Sequence, residues 1–455
     1  MTHSISTPVA ADSSAPLARQ ELQDIVAMAI EEARSLGASQ AEVAVSVNAG
    51  LSVTARFGAV ETLEYQRDRG MSVTVYRGMR RGSASTGDLK RQAVRDAVAK
   101  AFSIAGFTAE DDCAGLPDPD SLAKDIPDLD LCHPWAISPD AAREMAVACE
   151  AAALAADQRI GNSEGATLAS HQGLRVFGNS LGFIGDYAST LHSLSCMVVA
   201  QEHGEMQRDY WYSSVRDWRA LEDGESIGRH AAQRALRRLG ARKLATQTAP
   251  VLFVPEMARG LFGHFLGAVR GSSQYRRSSF LLDSAGQQIF PSWMHISERP
   301  HLPGALGSAP FDAEGVATRD RELIDAGVLT GYILSTYSAR KLGLKTTGNA
   351  GGVHNLLVRG GQDGFEVLLR RMGRGLVVTE LMGQGVNGVT GDYSRGAAGF
   401  WVENGELAYP VHEITIAGNL KEMYRGIVAV GGDVDERGGI RTGSVLLERM
   451  TIAGE

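Results

Sequence analysis

Between residues 375 and 420 the chain reads GLVVTELMGQGVNGVTGDYSRGAAGFWVENGELAYPVHEITIAGNL, and no stretch limits its folding more. Three short apolar runs, 376–378, 400–402 and 412–416, each end in glycine, asparagine or a charged residue. Between the first two, Gly383, Gly385, Gly388, Gly391, Gly396 and Gly399 recur at intervals of two to five residues. Such density costs backbone entropy, and is tolerated where the chain needs positive φ or another backbone must come close. The local pattern reads first as turns and bulges of a glycine-rich sheet. The functional alternative is a rigid loop lining a substrate groove, with Gln384, Asn387, Asp392, Ser394 and Arg395 as its polar groups. An Asp392–Arg395 pair would then set the local charge. No phosphate-loop or dinucleotide fingerprint fits, because neither a Gly-Lys-Ser/Thr ending nor a G-x-G-x-x-G after a strand occurs.

At 455 residues the chain is too long for one core. A tail is expected over 1–16, a first α/β unit over 17–112, a linker over 113–138, a second α/β unit over 139–244 and a mainly β domain over 245–455. In the first unit, helical spacing from 17 to 36 ends at Gly37. Alternating strands follow at 41–47, 51–57 and 71–77, and Asp88 is read as the cap of a helix. Pro- and Asp-rich residues 113–139 separate the units. The same order then returns: a helix over 141–156, strands at 174–179, 193–203 and 206–214, and a helix over 226–239. The fold class is therefore α+β, with duplicated antiparallel α/β units. The connections are too short for parallel crossovers. A barrel- or sandwich-like β domain follows, opened by a strand at 251–255 and a helix near 257–269.

The formal charge of −8 disfavours a nucleic-acid binder. Arg237, Arg238, Arg242 and Lys243 sit near a helix end, where they are read as complementing its dipole. No run of eighteen apolar residues predicts a membrane span. Four separated cysteines form no C-x-x-C, and the opening residues lack the basic start and apolar core of a signal peptide. A reducing, cytoplasmic setting is the expectation.

No complete catalytic constellation is legible. H-E-x-x-H is absent, no G-x-S-x-G elbow occurs, and Cys196 lies in an apolar run. His412–Glu413 reads as a sheet-surface pair, and His264 as a core histidine with a satisfied hydrogen bond.

Taken together, VPEMARGLFGHFLGA, the 375–420 stretch, FLLDS (280–284), PFDAEGV, YSARKLGLKTTGNAGG and GSVLLERMTIAG resemble the TldD/PmbA family, in its PmbA (TldE) branch. The resemblance implies a subunit of a bacterial cytosolic metalloprotease built from two related chains, a TldD-like partner being the other. That partner would carry an H-E-x-x-x-H helix holding zinc with a distant cysteine, its Glu acting as base. The implied substrates are unfolded peptides, namely microcin-type precursors and antitoxins. Carried over residue by residue, His264 matches the second zinc histidine, but Arg259 stands at the first and Gly260 at the base. No cysteine follows Cys196, and Thr442 is the nearest counterpart of the thiolate. No cofactor or catalytic residue is therefore expected in this chain, and zinc is expected in the partner. The alternatives are a free-standing peptidase using His264, His412 and Glu413, and an interaction protein that modulates DNA gyrase.

Overall fold

The computed structural model describes residues 19–454, so the expected tail over 1–16 lies outside the described residues. The first unit is α1 (Arg19–Ser35), β1 (Gln40–Arg56), β2 (Ala59–Arg77), β3 (Arg80–Thr86) and α2 (Arg91–Phe107). The second is α3 (Pro139–Leu154), β4 (Ile160–Asn179), β5 (Ile184–Glu202), β6 (Glu205–Val215) and α4 (Gly224–Leu236). Their strands join into one antiparallel sheet of order β3-β2-β1-β4-β5-β6, in which β1 and β4 pair at the seam of the two copies.

Two predicted strands, 41–47 and 51–57, are one. Along β1, Ala41, Val43 and Val45 bury beneath α1 and α2, while Leu51, Val53 and Ala55 bury beneath α3 and α4. All six are odd-numbered, so all lie on one face of a period-two strand. The polar Asn48-Ala49-Gly50 that imitates a turn marks where the two helix pairs part. A Cβ at Gly50 would collide with the His171 ring on β4. Asp88 likewise is not the cap. Its carboxylate accepts from the Lys90 N–H at 3.0 Å, but the helix starts two residues later than expected, with Lys90 in the N-cap position.

Residues 113–138 are not a loose tether. Leu116, Ala123, Leu129 and Leu131 are buried. Leu122 bridges to Val316, and Phe311 packs with Phe177 and Phe183 against the sheet face away from the helices.

The C-terminal half begins with β7 (Gln247–Phe253), α5 (Pro255–Val269) and α6 (Gly271–Tyr275). Short elements follow: β8 (Ile296–Glu298), β9 (Arg321–Asp325), β10 (Val328–Leu329), α7 (Thr336–Lys341), β11 (Leu356–Val358) and α8 (Phe365–Met372). Then come β12 (Gly375–Met382), β13 (Asp392–Glu403), β14 (Glu406–Asn419), α9 (Leu420–Arg425), β15 (Ile427–Val430), β16 (Ile440–Arg441) and β17 (Val445–Ala453). Strands β14-β13-β12-β7-β17 close into a barrel through β14–β17 pairing, with β15 attached to β17. Both faces of its wall are buried. Val251, Phe253, Leu376 and Val378 pack with α5 residues Phe262 and Phe265, whereas Leu252 and Val377 pack under α8. That is why VLF and LVV are unbroken apolar runs rather than alternating ones.

Helix pair α3–α4 packs through Gly228, whose Cβ would collide with the Cys149 carbonyl. Gly228→Ala is expected to cost roughly 1–3 kcal/mol by overpacking. Urea unfolding measures this, and an unchanged midpoint would refute the close approach. Near β1, burial first and then the charge of Glu314 raise the carboxyls of Glu42 and Asp312 to about 7. With Glu42 near ~4.3 when unfolded, its contribution is present below that value and is lost as pH rises to about 7. Glu42→Gln should raise the melting temperature at pH 8 and leave it unchanged near pH 4. An equal shift at both pH values would count against it.

Candidate functional site

The two halves of the molecule meet at a ladder of four guanidiniums and four carboxylates. Arg238 contacts Glu380 on β12 and reaches Asp209 on β6 at 3.5 Å, and Arg234 pairs with Asp209 at 3.1 Å. Arg234 and Arg437 share Glu256 at 3.5 and 3.3 Å, and Arg437 pairs with Asp435 at 2.9 Å. Arg259 completes the ladder, 3.5 Å from Asp435 and donating to the Tyr212 hydroxyl at 3.1 Å. Burial pushes the Asp435 carboxyl up, but hydrogen bonds and charge from Arg437, with the charge of Arg259, more than offset it and hold it below its ordinary range. Trp211 lies under Arg234 and Arg437, at 5.3 and 4.2 Å from its ring centre. The ladder borders a cavity of ≈ 660 Å³ whose apolar lining includes Val254 and Phe400. Thus Arg238 does more than complement a helix dipole, and Arg242 stacks on Tyr409 of β14 at 4.7 Å.

One turn along α5 from Arg259, a second hollow of ≈ 290 Å³ opens between the helix and the β12–β13 loop. His264, Gln384 and Arg395 line it, with Ser273, Ser278 and Phe280. The loop is tightly hydrogen-bonded: Asn387 N–H donates to the Asp392 carbonyl at 2.8 Å and Ser394 N–H to the Gly385 carbonyl at 2.7 Å. A Cβ at Gly385 would collide with the Ser394 carbonyl, which explains that glycine.

Of the groove residues read from sequence, Gln384 and Arg395 come together at this hollow and the other three do not line it. Asn387 caps the loop, its side-chain oxygen accepting from Val389 N–H at 2.9 Å. Asp392 and Ser394 are exposed, whereas Tyr393 is buried on the alternate face that Arg395 shares. The expected Asp392–Arg395 pair is not formed. Asp392 accepts instead from the Thr390 hydroxyl at 2.6 Å and Asn419 at 3.1 Å, which hold its carboxyl below the ordinary range. Sequence reasoning did not point to Ser273, Ser278 or Phe280 as site residues, since Ser273 comes from α6 and the other two from the turn after it.

His264 is not the satisfied core histidine expected. It is half-buried, its ring meets Tyr393 edge-on at 6.1 Å, and its side chain hydrogen-bonds to no other described residue. Burial, and then the charge of Arg395, push its imidazole below the usual range. The residues here do not fit a zinc ion. The position five residues before His264 is a guanidinium already tied to Asp435, and the next position, Gly260, has no side chain. Thr442 is buried with its hydroxyl on the Gly443 carbonyl at 3.1 Å. Among the described residues no three His, Cys, Asp or Glu side chains form a metal-holding group. His412 lies 3.5 Å from Gln207, and Glu413, at a β14 bulge with φ 52°, pairs with Lys243 at 3.2 Å. With His264 they form no such group, contrary to the free-standing peptidase alternative.

Models of the three PmbA/TldA metallopeptidase domains match the chain, domain 1 over 41–105, the central domain over 132–239 and the C-terminal domain over 246–454. Metalloprotease PmbA of Escherichia coli O157:H7 is 54% identical over 437 residues, covering 96% of this chain and 97% of its own. A Bacteroides thetaiotaomicron crystal structure described as a candidate modulator of DNA gyrase superposes with a TM-score of 0.91 at 30% identity, over 96% of this chain and 99% of its own. TldE from Thermococcus kodakarensis shares the fold, with a TM-score of 0.82 at 21% identity over 95% of this chain and 100% of its own.

Removing one member of a buried ion ladder leaves its partners uncompensated. Asp435→Asn is expected to destabilise by about 2 kcal/mol, below the fully buried case because Arg259 and Arg437 are partly solvated. Chemical denaturation checks this, and a loss under about 0.5 kcal/mol, the usual scatter of surface changes, would show the ladder to be peripheral.

Proposed function

The chain belongs to the PmbA/TldA metallopeptidase family, and on that premise we propose that it is the subunit without catalytic zinc in a cytosolic protease of two related chains. Its partner is a TldD-like chain that holds the zinc and the general base. Its own part is to complete the cleft that takes an unfolded peptide, such as a microcin-type precursor or an antitoxin. The observation that carries this reading is the content of α5. Arg259, Gly260 and His264 stand where a zinc helix needs two imidazoles and a carboxylate, and Arg259 is occupied with Asp435 and Tyr212. A cation brought to that position would meet a guanidinium that stays charged at every accessible pH.

The glycine-rich hairpin supports the cleft role. Among the described residues, Gly383, Gly385 and Gly388 leave the loop exposed and narrow beside the hollow, so an extended chain could pair with backbone groups there in the manner of an added strand. No helix of the described residues is long and apolar enough to cross a membrane, in keeping with a cytosolic site of action.

Metal content and cleavage of an unfolded peptide are the test, measured for the purified chain, for a TldD-type partner and for their mixture. Substoichiometric zinc in this chain and full activity only in the mixture are expected. One zinc per chain, with chelator-sensitive cleavage by this chain alone, would overturn the reading.

A further inference from the structure

We propose that the hollow between α5 and the β12–β13 loop is a carboxylate-binding site, filled by the C-terminus of an extended peptide. Three polar side chains converge there, and the protein leaves most of their hydrogen-bonding capacity unused. His264 and Gln384 make no side-chain hydrogen bond to another described residue. Arg395 spends only its Nε, on the Met382 carbonyl at 3.1 Å. Its two terminal nitrogens meet no carboxylate among the described residues, since Asp392 is turned to Thr390 and Asn419. By contrast, Arg234, Arg259 and Arg437 in the ladder are all neutralised by carboxylates.

The chemistry of this set selects its ligand. Among the described residues no acidic side chain lines the hollow, so a cation gains nothing there. The hydroxyls of Ser273 and Ser278 are spent on the carbonyls of Gly267 and Ser273, leaving guanidinium, carboxamide and imidazole as the free donors. A planar carboxylate matches the fork of a guanidinium and can take further bonds on its remaining lone pairs. At ≈ 290 Å³ the space suits a carboxylate and a small residue, not a folded segment.

The surface leading to the hollow suits a peptide backbone. Gly260, Gly263 and Gly267 are exposed along one stripe of α5 with His264, and a Cβ at any of them would meet nothing within 4 Å. From 260 to 267 the helix rises about 10 Å, the length of roughly three extended residues. A strand could therefore lie close against α5 with its terminal carboxylate on Arg395. This inference rests on the chain's proposed part in completing a peptide cleft, and it names the end of the peptide that this chain would hold.

The test is binding to the full chain without its partner, so it stays distinct from cleavage by the mixture. Calorimetric titration would use an unstructured hexapeptide with a free C-terminus, its C-terminal amide, the amide bearing a terminal glutamate, and inorganic phosphate. The free acid should bind at least tenfold more tightly than the amide. That preference should vanish in Arg395→Ala, shrink in Arg395→Lys, and fall severalfold in Gln384→Leu, an exposed position where folding is easily retained. Unchanged melting temperatures would confirm that the variants fold. A glutamate amide matching the free acid would support the carboxylate site and assign it to acidic side chains. Equal binding of acid and amide, an acid preference that survives Arg395→Ala, or binding of phosphate alone would overturn the proposal. Acid-selective binding with no cleavage in the mixture would instead sink the subunit reading and leave this site standing.

Discussion

The ion ladder from Glu380 to Arg259 is what the rest of this molecule is built around, because it is where the duplicated sheet, the barrel and α5 are held to one geometry. Asp209 comes from β6, Arg234 and Arg238 from α4 and its end, Glu256 and Arg259 from α5, Glu380 from β12, and Asp435 and Arg437 from the chain after β15. Gathering eight charges is costly by desolvation, so such a ladder is a weak source of net stability. Its effect is on specificity of docking. Each carboxylate has a guanidinium at a fixed distance, and sliding one half past the other would strand buried charges.

Helix α5 shows how one segment serves two ends. Its apolar face, with Leu261, Phe262 and Phe265, fills the core beside the barrel. Its other face carries bare glycines around one imidazole with no hydrogen-bond partner among the described residues. Glycines inside a helix cost about 1 kcal/mol each relative to alanine. Three of them on the exposed stripe are hard to justify by packing, since nothing presses on them. Space for an approaching backbone accounts for them. Arg259, on the same helix, has a structural part of its own. Its guanidinium closes the ion ladder, and Arg395 stands on the neighbouring hollow with no carboxylate against it among the described residues.

Much of the architecture was legible in the residues. The repeated order of helix, strands and helix reports a duplication, and the structure pairs the two copies through β1 and β4. The turn-like Asn48-Ala49-Gly50 misled because a period-two strand and a loop can share polar residues, and only the His171 ring across the seam explains the glycine. Asp88 misled more simply, since an aspartate two residues before the helix N-cap makes a local bond of the same kind. At the site, Gln384 and Arg395 were readable as polar groups in a glycine cage. Their convergence on His264, some 120 residues earlier in the sequence, was not.

What the sequence by itself determined is the chemistry that is possible: a glycine-rich hairpin, one histidine where a zinc helix has two, and no cysteine after Cys196. Those are statements about which atoms exist, and no fold can alter them. What only the tertiary structure decided is which of those atoms are free. Strand parity sends Arg395 to one face and Asp392 to the other, so a pair that looked self-neutralising in sequence is broken. Arg259 is neutralised by Asp435, 176 positions away in the chain, and the His264 side chain is left with the Tyr393 ring and no hydrogen-bond partner among the described residues. Charge compensation acts through a few ångströms of space, and sequence order carries no record of that distance.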